Sequence, residues 1–371
     1  MKILAIDIGA GTQDILLFDS TRAPENCIKM IMPSPTSMLA DQARQATAAG
    51  RGLLLTGVTM GRGPVGRAIE EHLRRGLPVL ATLQAARTNN DDLARVQALG
   101  VTVTDDAPRA APGYAHLRLR DLDLDAIAAA LAAFGVEMRY DVLAVAVLDH
   151  GDAPPDVSDR AFRFEHLRSI LAQAGPDGNQ LLAFAYTPAD LPPYLTRMRA
   201  VAQSAGEGQP PIVLLDTGAA AALGALEDPI VAAQDNVLLL NVGNMHTLAT
   251  HLLDGRIVGL FEHHTGFLTT EKLDAYLTAL SAGALQNVTI FDDHGHGCYV
   301  AVPPAERRRA GAPFLAVTGP RRALARPGRL RPYFAVPHGD MMIAGCFGLV
   351  RACAARLPQW RGEIEAALHA A

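Results

Sequence analysis

A short glycine-rich segment near the start of the chain combines residue types that bind phosphate and magnesium. It reads Asp7-Ile8-Gly9-Ala10-Gly11-Thr12-Gln13-Asp14. Glycines let backbone N–H groups approach a phosphate without a Cβ in the way, and the Thr12 hydroxyl adds a further donor. Asp7 is placed to hold Mg²⁺, usually through water, because Mg²⁺ keeps most of its hydration shell. The same glycines also suit an ordinary hairpin turn, so this segment alone leaves both interpretations open.

A second turn of the same form lies past the middle of the chain, between the apolar runs 236–241 and 248–253. It reads Asn241-Val242-Gly243-Asn244-Met245-His246-Thr247. Two such hairpins at opposite ends of one chain could face each other across a cleft and enclose a nucleotide. The candidate phosphate contacts are Gly9, Gly11, Thr12 and Gln13 in the first hairpin and Asn241, Gly243 and Asn244 in the second.

Acidic residues follow another predicted strand, in the segment Asp149-His150-Gly151-Asp152. In α/β proteins, polar residues after a strand often point into the cleft. Asp149 or Asp152 would then suit a general base that activates a hydroxyl or a water. The alternative is a polar turn with capping aspartates.

Potential metal ligands crowd into Glu262-His263-His264 and Asp292-Asp293-His294-Gly295-His296-Gly297-Cys298. In an extended strand His294, His296 and Cys298 would share one face, which suits a zinc or iron site. The two glycines between them favour a plain surface loop instead.

The segment Gly61-Arg62-Gly63-Pro64-Val65-Gly66 fits the GxGxxG pattern between a predicted strand and a predicted helix, which is the context of a dinucleotide site. The next strand leads into Gln84-Ala85-Ala86-Arg87, without an acid for the ribose. An NAD(P)-binding oxidoreductase is therefore a remote alternative. A loop that shapes the cleft or binds another anion is favoured.

The elements that must position these residues follow an alternating α/β pattern. Residues 3–8 and 14–19 predict a buried hairpin, and strand and helix patterns alternate from 53 to 148. The strand–turn–strand unit then recurs at 236–253. A chain of 371 residues with 49% hydrophobic content predicts two domains, or one domain with large insertions.

Charge and composition narrow the partners and the compartment. A net charge of −5 makes nucleic acid an unexpected partner. The start is too short and too soon acidic for a leader peptide, and no apolar run has the ~18 to 20 residues that would cross a bilayer. We therefore expect a cytoplasmic protein without a membrane segment.

Taken in order along the chain, these motifs resemble those of the superfamily that contains actin, sugar kinases and heat-shock-chaperone ATPases. Asp7–Asp14 and Asn241–Thr247 resemble its two phosphate motifs, and Val317-Thr318-Gly319-Pro320 resembles its adenosine motif. Segments 216–224 and 345–351 resemble its two connecting helices. The likeness covers the two ends and the second half of the chain well, and residues 50–200 poorly.

The resemblance implies an α/β fold with two ribonuclease-H-like (actin-like ATPase) domains that flank a nucleotide cleft. It implies ATP and Mg²⁺ as ligands, with Thr318 and Gly319 at the adenosine. The expected domains are 1–210, with an inserted α/β segment at about 50–200, and 211–371.

One residue departs from the superfamily pattern. Asn241 stands where an Asp is usual, and a neutral amide can neither act as a base nor ligate a metal as a carboxylate does. Either Asp7 binds Mg²⁺ alone, or another acidic residue acts as the general base, or the turnover of ATP is slow.

The segment Lys2–Pro35 is also similar to a family of uncharacterised prokaryotic proteins labelled as pyruvate formate-lyase activating enzymes. Such an enzyme needs three closely spaced cysteines to hold the [4Fe–4S] cluster that cleaves S-adenosylmethionine. The cysteines here are scattered, which argues against that radical chemistry. They are Cys27, Cys298, Cys346 and Cys353.

Two functions follow from the resemblance. The first is an ATP-dependent phosphotransferase, or an ATP-activating enzyme, that acts on an unknown small acceptor. The alternative is an ATPase switch whose nucleotide-driven closure controls a partner protein. A cleft-facing Asp149 or Asp152 would favour the first, and an exposed apolar patch within 50–200 would favour the second.

Overall fold

The computed structural model describes residues 1–106, 112–175, 180–206, 208–301, 311–326 and 328–369. Its strands are β1 (Lys2–Ile8), β2 (Thr12–Asp19), β3 (Ile28–Pro33), β4 (Gly52–Gly57), β5 (Val79–Thr82), β6 (Val101–Thr104), β7 (Tyr114–Leu119), β8 (Val142–Val147), β9 (Ala185–Tyr186), β10 (Ile212–Asp216), β11 (Asn236–Val242), β12 (His246–Leu253), β13 (Arg256–His264), β14 (Gly297–Val300), β15 (Phe314–Thr318) and β16 (Pro332–Phe334).

The α-helices connect and cover these strands. They are α1 (Pro35–Ala48), α2 (Gly63–Arg74), α3 (Leu83–Ala86), α4 (Leu93–Ala98), α5 (Leu124–Ala132), α6 (Asp159–Ala174), α7 (Thr196–Ala205), α8 (Thr217–Ala225), α9 (Pro229–Ala232), α10 (Thr270–Ser281), α11 (Asn287–Asp292), α12 (Ala344–Arg356) and α13 (Arg361–Leu368).

Two of the sheets formed by the described residues share one order over five strands, with β9 added at the end of the first and β14 at the start of the second. The first sheet runs β3-β2-β1-β8-β10-β9, and the second runs β14-β13-β12-β11-β15-β16. In each, three antiparallel strands in succession are followed by two strands parallel to the first of them. This order and these directions define a ribonuclease-H-like domain, so the predicted duplicated α/β fold is confirmed.

The central strands of each sheet are apolar because both of their faces are covered. All residues of β8 are buried, and β11 and β15 are nearly so. Parallel strands that lie between layers of helices read as continuous apolar runs. Their carboxyl ends meet at one edge, where Asp7 pairs with Ala146 and Asn241 pairs with Thr318.

The third sheet forms a separate small unit inserted between β3 and β8. Its order is β6-β5-β4-β7, all strands are parallel, and it has its own core with α1 and α2. The insertion therefore ends before β8, well short of the expected limit near 200. The reason is that β8 pairs with β1 on one side and with β10 on the other, so it belongs to the first sheet.

The expected boundary at 210/211 also needs correction at both ends of the second domain. Strand β10, assigned from sequence to the second domain, lies beside β8 in the first sheet. Helix α12, near the end of the chain, packs on β1, β8 and β10 of the first sheet. Helix α8 packs against strands of both sheets, including β11, β12 and β15 of the second sheet. The two helices lie between the sheets in one shared hydrophobic core.

Helices α8 and α12 cross in direct contact because glycines occupy the crossing point. A Cβ on Gly224 would overlap the Ala344 carbonyl, and a Cβ on Gly348 would overlap the Ala220 carbonyl. The small residues let the two backbones approach closely enough to hold the sheets together.

Candidate nucleotide cleft

The two predicted phosphate loops have the same backbone structure. In the first loop Gly9 N–H donates to the Thr12 carbonyl at 2.9 Å, and in the second Gly243 N–H donates to the His246 carbonyl, also at 2.9 Å. Asp7 and Asn241 each lie two residues before the glycine, so they occupy equivalent positions. The sequence alignment of the two hairpins is therefore geometrically correct.

The two loops touch each other across the cleft between the domains. A Cβ on Gly11 would overlap the side-chain amide of Asn244. Glycine at position 11 is needed for this approach, since any larger side chain would displace the amide. The side chain of Gln13 is not part of this contact, because its amide donates to the Pro33 carbonyl at 3.1 Å.

Neighbouring elements hold both loops in place. The Ser34 and Ser37 hydroxyls donate to the Ala10 carbonyl at 2.8 and 2.9 Å, and Ser34 is the N-cap of α1. In the second loop, the Arg321 N–H donates to the Val242 carbonyl at 3.0 Å. The first loop is thus fixed by the N-terminal end of α1, and the second loop by the backbone at Arg321.

Asp7 lies at the carboxyl end of β1, where its carboxylate is held by a residue that sequence reasoning missed. The Thr217 hydroxyl at the start of α8 donates to Asp7 Oδ1 at 2.6 Å. Burial raises the pKa of Asp7 to about 7, and the hydrogen bond from Thr217 acts in the opposite direction by lowering it. A Cβ on Gly345 would overlap the Asp7 carboxylate, so the first turn of α12 closes over the acid.

A second missed carboxyl, Asp14, pairs with Asp7 in the β1–β2 register. Asp14 is buried, and its Oδ1 has no hydrogen-bond partner within the described part of the chain. Burial, followed by the charge of Asp7, raises the pKa of Asp14 to about 8. The Asp7–Asp14 pair thus has two carboxyl groups that change protonation near neutral pH.

The predicted adenosine residues lie beside the second loop. The Thr318 hydroxyl donates to Asn241 Oδ1 at 3.4 Å. Gly319 has a φ of +95°, a conformation that favours glycine, and a Cβ there would crowd Val242 and Asn241. The structure therefore brings Thr318, Gly319 and Asn241 together at the edge of the second sheet.

Asp149 and Asp152 follow β8 but differ in their surroundings. The two carboxylate oxygens of Asp149 accept the backbone N–H groups of Gly151 and Met198, each at 2.9 Å. Asp152 is about half exposed and lies 3.7 Å from Arg87 of the inserted unit. Asp149 therefore organises the turn in which it lies.

The inserted unit forms a third wall of the cleft. Gly63, the first residue of α2, lies against Ala10 of the first loop, and Arg67 reaches Met245 of the second at 2.9 Å. Within the same GxGxxG segment, the Gly61 N–H points at the Asp121 carboxylate at 3.1 Å. The Gly61 N–H therefore already donates to a carboxylate, although a dinucleotide phosphate would need this donor. The geometry disfavours the dinucleotide interpretation.

A fully buried arginine joins the two domains behind the loops. Arg163 of α6 makes two hydrogen bonds to Glu262 of β13, both at 2.7 Å, and one to Asp216 at 2.8 Å. Its guanidinium also donates to the Asp149 carbonyl at 2.9 Å. Charged groups that are buried in this way are stable only when each has hydrogen-bonded partners, and Arg163 has them.

The predicted metal candidates are only partly brought together. The ring of His294 stacks on Phe267, and the Cys298 thiol lies against the Leu285 carbonyl. These two side chains therefore do not come together as ligands of one metal site. His264 and His296 do approach, with ring centroids 4.7 Å apart, and two further histidines that sequence reasoning did not group with them lie beside them. Those two are His150 and His246.

One cavity lies away from this cleft. It has a volume of about 370 Å³ and is lined by charged residues such as Lys2, Asp19 and Arg139. Lys2 begins β1, whereas Asp7 lies near its other end, so this cavity opens at the opposite edge of the first sheet.

Two ribonuclease-H-like domains with equivalent hairpin loops at a shared cleft, linked by crossing helices, define the actin-like ATPase class. The chain belongs to the family described as “Putative pyruvate format-lyase activating enzyme (DUF1786)”, whose family model matches residues 60–324. The predicted family is confirmed, although the match does not include Lys2–Pro35, the segment that indicated it.

Three solved structures are similar over almost their full length. A ROK family glucokinase from Streptomyces griseus in complex with glucose and AMPPNP has 13% identity and a TM-score of 0.33, covering 95% of this chain and 98% of that one. The activator of 2-hydroxyisocaproyl-CoA dehydratase from Clostridium difficile with bound ADPNP has 9% identity and a TM-score of 0.32, covering 97% and 98%. The PilM-PilN type IV pilus biogenesis complex has 14% identity and a TM-score of 0.36, covering 95% and 98%.

No curated protein matches the chain. The assignment to the actin-like class rests on the strand order and on the two equivalent loops. Within the described residues, no helix combines the length and apolar character that a membrane span requires.

The cysteines do not fit the iron–sulfur cluster that the family label implies. All four are buried and none is in a disulfide: Cys27, Cys298, Cys346 and Cys353. Cys346 and Cys353 lie two turns apart on α12, roughly 10 Å along the helix axis. Across the described ranges no three cysteines lie together as ligands, so the cysteines cannot hold such a cluster.

Proposed function

We propose that this protein binds Mg²⁺–ATP in the cleft between its two hairpin loops. The observation that carries the proposal is the direct contact of two equivalent loops, in which Gly11 lies against Asn244. Glycines at 9, 11 and 243 leave no Cβ in the way, so phosphate oxygens can approach the loop backbones from both sides. Closure of two domains over the phosphates would then position the nucleotide.

We assign Mg²⁺ to Asp7, through water in part. Bound Mg²⁺ would neutralise phosphate charge, which is the main requirement of phosphoryl transfer. Asn241 occupies the equivalent position in the second domain and brings no charge. The metal would therefore be held asymmetrically, from the first domain. Thr318 and Gly319 would lie at the adenosine.

The favoured activity is transfer of the γ-phosphoryl group, or ATP-dependent activation, on a small acceptor. It is supported by the third wall, in which α2 brings Gly63 to the first loop and Arg67 to the second. Burial and the charge of Asp7 raise the pKa of Asp14 to about 8, so Asp14 can take up a proton near neutrality while the Asp7 carboxylate holds the metal. In this proposal Asp149 positions the turn after β8, and Asp152 lies at the entrance beside Arg87.

An ATPase switch is the second candidate, and one observation favours it. The buried Arg163–Glu262 pair joins the two domains, so domain opening would have to break it. A nucleotide-driven switch would need this pair to be formed in one arrangement of the domains and broken in the other.

Calorimetry with the full chain tests nucleotide binding. Titration with AMPPNP should give measurable heat in Mg²⁺, and Asp7→Asn should abolish the Mg²⁺ dependence, whereas the exposed Asp41→Asn should leave it unchanged. Absence of both heat and a thermal shift at millimolar nucleotide would refute the proposal.

The two candidate activities differ in their product. The protein is incubated with γ-labelled ATP and a low-molecular-weight cell extract. A labelled small molecule that disappears with Asp7→Asn supports phosphoryl transfer. Label found only in inorganic phosphate supports the switch.

A further inference from the structure

Four histidines from four separate segments meet at the interface of the two domains. His150 follows β8 in the first domain, His246 begins β12, His264 ends β13 and His296 precedes β14. One nitrogen of each ring lies within 4.8 Å of a nitrogen of every other. The Nε2 atoms of His150 and His296 are 3.0 Å apart.

These separations match those around a small metal ion. Metal–nitrogen bonds of about 2.0–2.1 Å in a regular tetrahedron put neighbouring nitrogens roughly 3.3 Å apart. Three of the four rings are partly accessible to solvent, and only His296 is buried. An ion can therefore enter, and small side-chain shifts would complete the coordination.

The hydrogen bonds around the cluster orient the rings as metal ligands require. His264 Nδ1 lies 2.8 Å from the His294 carbonyl, which only accepts, so Nδ1 carries the proton and a neutral ring keeps Nε2 free. His296 Nδ1 lies 3.7 Å from Glu262 Oε2. Ligating histidines usually direct their other ring nitrogen at a carbonyl or carboxylate in this way.

Two ring nitrogens in the cluster have no partner of their own. His246 Nε2 and His296 Nδ1 are buried without a hydrogen bond in the part of the chain that the structure describes. Burial without a partner is costly for a polar atom. For His246 Nε2, a bound cation would remove that cost.

Buried charged groups lie directly behind the four rings. Behind them, one guanidinium, Arg163, is shared by two carboxylates, Glu262 and Asp216.

We propose that His150, His246, His264 and His296 bind one first-row transition-metal ion, with Zn²⁺ as the best match. Four imidazoles without a carboxylate suit Zn²⁺, Cu²⁺, Ni²⁺ or Fe²⁺, whereas Mg²⁺ prefers oxygen ligands. Four protein ligands fill a tetrahedral zinc site, which is the arrangement of structural zinc. This site is separate from Asp7 and does not depend on nucleotide binding.

The ion would fasten the two domains together. His150 comes from the first domain, and the other three ligands come from the second. His246 is also the residue that closes the second phosphate loop, through its carbonyl. Metal binding would therefore fix the second loop relative to β8 of the first sheet.

Metal titration of the full chain tests this proposal. After chelator treatment and dialysis, Zn²⁺ should bind at one equivalent per chain in competition with a chromophoric chelator, and Zn²⁺ should raise the thermal unfolding temperature. Co²⁺ in the same site should show the intense visible absorption of tetrahedral coordination. Weak absorption typical of octahedral Co²⁺, or clearly substoichiometric Zn²⁺, would overturn the proposal in the wild-type protein itself.

Matched variants identify the ligands. His150→Ala and His264→Ala should each weaken Zn²⁺ binding by about 100-fold or more, since even loss of an outer partner costs 10–100-fold. The control is His294→Asn, which removes a nearby histidine that stacks on Phe267. Its φ of +67° is tolerated by Asn.

Circular dichroism shows whether each variant is folded. Equal Zn²⁺ affinity in the wild type and in folded His264→Ala or His150→Ala would contradict the assignment, and so would an equal loss in His294→Asn. If His264→Ala does not fold, His150→Ala and the wild-type Co²⁺ spectrum decide.

Discussion

The side-chain amide of Asn244 lies directly against Gly11, so the second phosphate loop contacts the first with no residue between them. The two loops also share the same internal hydrogen bond, from Gly9 to Thr12 and from Gly243 to His246. A duplicated hairpin has thus been brought face to face, and the space beside this contact is the proposed phosphate site.

Replacing Gly11 by Ala should weaken nucleotide binding more than it weakens the fold. The added methyl group would push aside the Asn244 amide, which is the flexible end of a side chain, so little stability should be lost. We expect AMPPNP affinity to fall about tenfold, equivalent to about 1.4 kcal/mol. Calorimetry measures the affinity, and thermal unfolding measures the stability.

The double variant Gly11→Ala/Asn244→Ala tests the cause. If the contact matters, its affinity should equal that of Asn244→Ala alone, because the two changes act on one interaction. Gly266→Ala is the control, since Gly266 is exposed with no atom near its Cβ position. Additive losses in the double variant would contradict the prediction.

The buried acids Asp7 and Asp14 should make the protein less stable at higher pH. Burial raises their pKa values from 3.8 to about 7 and about 8, so the native state holds more protons than the unfolded state between these limits. Their contribution to the free energy of unfolding should therefore fall as the pH rises from about 4 to about 8, whereas the buried histidines, whose pKa values are lowered, contribute the opposite slope. Urea unfolding across this pH range measures the slope.

Asp14→Asn should remove its share of this slope and should be more stable than the wild type above about pH 8. The exposed Asp41→Asn is the matched control and should leave the slope as it is. An unchanged slope in Asp14→Asn would place the responsible groups elsewhere.

Replacing the buried Arg163 by Met should strongly destabilise the closed arrangement of the domains. Glu262 and Asp216 would then be buried without their cation, which typically costs about 3–5 kcal/mol. Chemical denaturation measures this loss, and Arg44→Ala, which breaks an exposed pair with Asp41 at 2.6 Å, is the control.

The double variant Arg163→Met/Glu262→Gln should lose less stability than the sum of the single changes, because one of the two unpaired carboxylates is gone. Strict additivity would mean that the pair does not act as a unit.

The crossing of α8 and α12 should not tolerate a side chain at Gly348. Gly348→Ala would overlap the Ala220 carbonyl and force the helices apart, at a cost of about 1–3 kcal/mol. By contrast, Gly362→Ala on the exposed face of α13 should stabilise the protein by up to about 1 kcal/mol, because Ala favours helix. Equal effects of the two substitutions on urea unfolding would disprove the close crossing.

Local patterns in the sequence were sufficient to find the loops. The apolar runs on either side of each turn predicted the hairpins, and the observed strands β1, β2, β11 and β12 agree with them closely. The resemblance to the superfamily's two phosphate motifs also placed Asp7 and Asn241 at equivalent positions. Strands β3 and β7 were missed, because edge and amphipathic strands have weak periodicity and depend on their neighbours.

Domain boundaries were harder to predict because they depend on distant packing. Nothing local in Ile212–Asp216 indicates whether this strand belongs to the first or the second sheet, and it is its pairing with β8 that decides. Likewise α12 reads as a small-residue helix near the end of the chain, and only its packing on β1 places it on the first sheet.

The sequence by itself determined the residue types of the cleft: two glycine turns, one carboxylate at Asp7, and an amide at Asn241. Chain geometry over a few residues is enough for that, since a turn and its flanking strands form locally. Only the tertiary structure decided which distant residues meet. It placed Thr217 on Asp7 and Asn244 on Gly11.

The histidines show the same division. The sequence indicated metal ligands near His264 and His296 but grouped them with His294 and Cys298, which lie apart in the fold. Spacing along a strand describes one chain segment, whereas a coordination sphere is built from several. The closed packing of the two domains brings His150 to the other three rings.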